Sequence, residues 1–138
     1  MTIVVDVANV MGSRPDGWWR DRAGAAVRLH AEVVRLAASG RAILPDDPGP
    51  PGWVMVLEGA ARAAVKQVGE SDAAGPVEPG EVRVVQARGS GDDTIVAVVR
   101  ELPGRRVVVT ADRELRARCV AAGAAIMGPG WLLGLLRD

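Results

Sequence analysis

Two uninterrupted apolar runs, Ile3-Val4-Val5 and Val107-Val108-Val109, constrain this chain more than any other feature. A strand with one face in water alternates apolar and polar residues; a run without alternation needs cover on both faces, as in the middle of a parallel sheet. Each β-rich run is followed by an Ala-rich stretch of helical character, the rhythm of strands joined by crossover helices. Strands are expected at Thr2 to Val7, Trp53 to Leu57, Glu81 to Gln86, Arg105 to Thr110 and Ala124 to Met127. Helices are expected at Gly17 to Ser39, Ala60 to Val68, Asp92 to Leu102, Asp112 to Ala122 and Gly130 to Leu136. The fold class is therefore α/β, a three-layer sandwich around a central five-stranded parallel sheet. Its 138 residues fit one domain, 1–138, with enough chain to bury a core.

The first helix carries Val27, His30, Val33, Val34 and Ala37 at helical spacing, which makes His30 a packed residue at the edge of the core. Two stretches rich in Pro, Gly and acid, Pro45 to Gly52 and Gly69 to Gly80, read as mobile surface loops. Each is followed by a strand that the sheet needs, so neither is a domain linker. No internal repeat is present. The lone Cys119 allows no internal disulfide and, with the lone His30, no Cys/His zinc site. The amino terminus has no basic segment, and its apolar run is too short for a signal peptide or a membrane span, so a cytoplasmic protein without membrane contact is expected.

Acids at strand ends carry the functional signal, because an open parallel sheet binds ligands beyond the carboxyl ends of its strands, where strand order reverses. Asp6 closes the first strand, Asp112 follows the fourth, and Asp92-Asp93 opens the helix between the third and fourth. If the strand order is 3-2-1-4-5, all four meet at one crevice. Ser90-Gly91-Asp92-Asp93 also matches a helix capping box, which explains Asp93 as well as catalysis does, and Asp112 has an N-cap reading of its own. Asp92 stands three, four and seven residues before Ile95, Val96 and Val99, on the inward face, where an unpaired acid is costly. Clustered carboxylates repel one another unless a divalent cation neutralises them, and an oxygen-only set suits Mg²⁺ or Mn²⁺. Phosphodiester hydrolysis is the reaction such a site performs.

Three motifs in order, Asp6-Val7-Ala8-Asn9, Gly89-Ser90-Gly91-Asp92-Asp93 and Val108-Val109-Thr110-Ala111-Asp112-Arg113-Glu114-Leu115, resemble the NYN branch of PIN-like nucleases, including YacP-like domains. The resemblance covers nearly the whole chain. It implies the 3-2-1-4-5 order, a ribonuclease activity, and a Mg²⁺ or Mn²⁺ site from Asp6, Asp92, Asp93 and Asp112. It further implies that Asn9 and Thr110 steady water or ligand, while Ser90 supports the site as the cap of its helix. Where many relatives carry an acid or Asp-Gly after the second strand, this chain has Glu58-Gly59; Glu58 is either an outer ligand or the charge at a helix start.

The expected RNA partner has little bulk charge to bind. Formal net charge is zero at a sequence pI of about 6.6, and sixteen of the seventeen basic residues are Arg, a bias that genomic base composition explains as well as phosphate recognition does. Arg14, Arg20, Arg22 and Arg113, with Arg88, are the candidate phosphate contacts. The first three surround Trp18-Trp19, which form either a stacking surface or part of a core or dimer seam. With no Phe or Tyr, only Trp18, Trp19, Trp53 and Trp131 could stack on bases, which excludes a surface of the RRM kind. A catalytically silent RNA-binding or regulatory domain is the alternative. A Mg²⁺-dependent phosphatase is weaker, because Ala8 stands where an aspartyl-phosphate enzyme needs its second Asp. No Gly-x-Gly-x-x-Gly follows the first strand to suggest a dinucleotide site. A homodimer or a regulatory protein partner stays open at this level.

Overall fold

Five parallel strands, β1 (Thr2–Asp6), β2 (Gly52–Leu57), β3 (Val82–Gln86), β4 (Arg106–Val109) and β5 (Ala125–Met127), pair in the order β3-β2-β1-β4-β5 in a computed structural model. The structure describes residues 1–71 and 75–137. Three residues of the expected loop from Gly69 to Gly80, numbers 72–74, and the last residue of the expected domain lie outside them.

Six α-helices accompany the strands among the described residues: α1 (Val7–Gly12), α2 (Arg22–Ala38), α3 (Val65–Val68), α4 (Gly91–Glu101), α5 (Arg113–Ala121) and α6 (Pro129–Arg137). The five expected strands and the later helices are found within about two residues. Three local readings change. A short helix, α1, begins directly at Val7, where strand is expected; Asp6 caps it and turns the chain out of the sheet. The expected helix from Gly17 is a 3-10 turn, Trp18–Arg20, followed by α2, whose start is capped by the Asp21 carboxylate on the Gly24 N–H. Ahead of α3 the expected helix is a 3-10 segment, Gly59–Ala64.

Handedness explains the layers. Chain progress from β1 to β3 runs one way across the sheet and from β3 to β5 the other, so right-handed crossovers send the two sets of connections to opposite faces. Ile3, Val5, Trp53, Met55, Val107 and Val109 face α1, α2 and α6, whereas Val4, Val54, Val56 and Val108 face α4 and α5. Both faces of β1 are fully covered, as its unbroken apolar run requires. The buried stripe of α2 is Ala26, Leu29, Val33 and Ala37; Val34 is exposed, and His30 sits half-buried at the edge of the stripe, where burial lowers its pKa.

The two Pro/Gly-rich loops are anchored to each other. The Gly80 N–H donates to the Pro51 carbonyl, and Val77 packs so close to Gly52 that a Cβ there would lie 2.6 Å from its side chain. Among the described residues no helix is long and apolar enough to cross a membrane.

Candidate active site

With β1 between β2 and β4, strand order reverses beside Asp6, and every strand's carboxyl end opens on the same edge. Asp6 is only 7% exposed. Register carries its partner to it: Val5 aligns with Val109, so the next residues, Asp6 and Thr110, lie side by side on the α4/α5 face. The fully buried Thr110 hydroxyl donates to Asp6 Oδ2 at 2.9 Å and accepts from the Asp112 N–H at 3.2 Å, while the Asn9 N–H reaches Asp6 Oδ1 at 3.3 Å. One hydroxyl thus fixes the buried carboxylate relative to the start of α5.

Asp112 caps α5, its Oδ1 accepting from the Leu115 N–H at 2.8 Å. Asn9, implied as a group that steadies water or ligand, uses its side-chain oxygen to accept from the Ala111 N–H at 2.8 Å, strapping α1 to the β4–α5 turn. Ser90 caps α4 through the Asp93 N–H at 3.4 Å. Asp93 itself swings outward: its carboxylate, 72% exposed, pairs with Arg118 at 2.9 Å.

Glu58 is the residue that sequence reasoning placed least well. It makes no cap on the 3-10 segment that follows it; its Oε2 accepts from the Gly91 N–H at 2.8 Å and so holds the first turn of α4 from the end of β2. Glycine at 91 makes room for this contact, since a Cβ there would displace the Glu58 carboxylate. The signal lay in Gly91 opening a helix, but its partner is thirty-three residues away in sequence.

Electrostatics join these residues. Burial pushes the Asp6 carboxyl up to about 6; the hydrogen bonds from Thr110 and Asn9 oppose the rise, and the charges of Glu58 and Asp92 add to it. Asp92 is raised as well, first by burial, then by Asp112 and Glu58, with Arg118 opposing. Asp6, Glu58, Asp92 and Asp112 therefore share one field with no cation hydrogen-bonded to any of them among the described residues. Asp93 is instead paired with Arg118.

Among the described residues no three Asp, Glu, His or Cys side chains are drawn into a group that could hold an ion as they stand. The donor chemistry fits a hard divalent cation all the same. All the donors are carboxylate oxygens, and among the described residues nothing hydrogen-bonds to the Asp92 carboxylate or to the second oxygen of Asp112 and of Glu58.

The candidate phosphate contacts separate. Arg14 is bound at both ends of its guanidinium by Glu32, at 2.7 and 2.8 Å, which removes it from the set of free cations. Arg20 rests over Trp19 and Arg22 over Trp18, with ring centroids 5.7 and 5.2 Å away. Arg88 and Arg113 are exposed beside the acids of α4 and α5.

An open parallel sheet in this order, with helices on both faces and acids at the switch point, is consistent with a PIN-like α/β fold. Among solved structures the chain is similar to a point mutant of Rae1 (YacP) from Bacillus subtilis, with a TM-score of 0.68 and 15% identity, over 99% of this chain and 74% of that one. No protein-family model matches the sequence, and no curated protein matches it.

Proposed function

We propose that this chain is a ribonuclease that hydrolyses RNA phosphodiester bonds with Mg²⁺ or Mn²⁺ held by Asp6, Asp92 and Asp112, acting in the cytoplasm. Asp93, paired with Arg118, is left out of the proposed ligand set, and Glu58 stands beside it. The observation that carries the reading is Asp6: a nearly buried carboxyl at the switch point, without a cationic partner among the described residues, in the field of two more acids. A fold keeps such a group when a bound cation offsets the repulsion. When bound there, a divalent ion supplies polarisation of a phosphoryl oxygen and a more acidic water.

The chain's own residues do the positioning. Thr110 and the Asn9 N–H hold both oxygens of Asp6 in place, the Leu115 N–H orients Asp112, and Glu58 fixes the start of α4 and with it Asp92. Arg22, Arg20, Arg88 and Arg113 offer the positive charge that draws a phosphate chain towards the acids. The similarity to Rae1 (YacP) supports the fold on which this rests.

The test is cleavage of labelled single-stranded RNA with Mg²⁺, with Mn²⁺ and with chelator, by wild type and Asp6→Asn. Metal-dependent cleavage lost by orders of magnitude in the variant is expected; undiminished cleavage in chelator overturns the reading. That no ion-binding group is preassembled among the described residues favours one competitor, a silent RNA-binding domain, which would bind the same RNA and leave it intact with either metal.

A further inference from the structure

A cavity of about 330 Å³ opens at Glu58, lined by it and by Ala8, Met11, Trp18, Arg22 and Gly89 among others. We propose that it receives one unpaired base of a single-stranded RNA, next to the phosphate held at the acidic crevice. The inference rests on the ribonuclease reading and adds to it a subsite for one base.

Three observations carry it. The volume falls at the lower end of the range of small-ligand pockets, roughly 300 to 1,000 Å³. The walls supply a plane of the kind unpaired bases stack on, because the exposed Arg22 guanidinium lies over the Trp18 ring and is backed by it, which leaves the outer face of the guanidinium for a base. Trp18 is also braced from behind, since it packs against the core, meets Trp19 edge to face at 6.1 Å, and covers Gly12, where a Cβ would lie 3.6 Å from the ring. Glu58 belongs to both places, with one oxygen on the Gly91 N–H and the other available to accept from an amino or imino group of a base. A base in this pocket therefore meets Glu58, which in turn holds the first turn of the helix that carries Asp92. A paired base, locked in a duplex, cannot enter.

The experiment measures binding in chelator, so that cleavage plays no part, using fluorescence anisotropy of a short labelled single-stranded RNA and of an abasic strand of the same length. The proteins are wild type, Trp18→Leu and Gly89→Leu. Gly89 is exposed and a Cβ there meets open space, so a leucine obstructs the cavity without crowding the core, and it keeps the test alive if Trp18→Leu fails to fold. Each folded variant is expected to lose about fivefold or more in affinity for the normal strand, the scale of one stacked base, and nothing for the abasic strand. Equal losses on both strands, or no loss on either, overturn the pocket. The two readings fail separately. Wild type that prefers the normal strand in the way described but never cleaves with Mn²⁺ keeps the pocket and loses the nuclease. Metal-dependent cleavage with both variants binding like wild type does the reverse.

Discussion

Replacing Asp6 by Asn should make the metal-free protein more stable at neutral pH, although it removes a buried group with two hydrogen bonds. Burial and neighbouring charge raise the Asp6 pKa from 3.8 to about 6. A raised carboxylate pKa means that the folded state holds its proton more tightly than the unfolded chain does. Stability is then full below pH 4, falls as pH rises from about 4 to about 6, and stays low above that. At 1.36 kcal/mol for each pH unit, such a rise corresponds to about 3 kcal/mol. The side chain is almost inaccessible, so solvent screening takes little away, and roughly 2 to 3 kcal/mol is the expected size of the loss. Asparagine matches the protonated carboxyl in shape and carries no charge, and its oxygen still accepts one of the two hydrogen bonds. Urea unfolding of wild type and Asp6→Asn in chelator, from pH 4 to 7.5, isolates this group. Carboxylates shifted the other way, such as Glu81, titrate in both proteins and cancel in the difference. The gap in favour of the variant should be near zero at pH 4 and reach its plateau above pH 6. A variant less stable than wild type at pH 7, or a gap independent of pH, would mean that ionised Asp6 is satisfied by Thr110 and Asn9 alone. The case for a bound cation would then lose its physical basis.

Two further outcomes follow from the same geometry. Mn²⁺ at a hundredfold excess over its dissociation constant should stabilise wild type by about 2.7 kcal/mol, while Asp92→Asn keeps little of this gain; thermal unfolding at pH 7 reads both, and equal shifts would exclude Asp92 as a ligand. Thr110→Val should cost about 1 to 3 kcal/mol, because it leaves the Asp6 carboxylate and the Asp112 N–H without their shared hydroxyl. Carboxyl titration followed by NMR should show the Asp6 pKa moving further up, and a downward shift would contradict the role given to Thr110.

Local chemistry in the sequence determined much of this protein. Ile3-Val4-Val5 and Val107-Val108-Val109 demanded strands covered on both faces, and the described sheet has both in its interior. The ends of those strands marked Asp6 and Asp112, and the capping pattern at Ser90 marked the helix that carries Asp92. These signals are legible because periodicity and capping act over a few residues. The strand order was not legible that way; it came from the resemblance of three motifs to a known family. Side-chain pairing was not legible either. Arg14 and Glu32, Asp93 and Arg118, and Glu58 and Gly91 are eighteen, twenty-five and thirty-three residues apart, and nothing local distinguishes a cation facing solvent from one bound to an acid on another helix. Tertiary structure alone decided that Arg14 is neutralised, that Asp93 turns away while Asp92 stays in the acidic field, and that Glu58 joins the crevice to the Trp18 cavity. The physical reason is that a charge takes its role from the field and the partners that meet it in space, and the fold sets both.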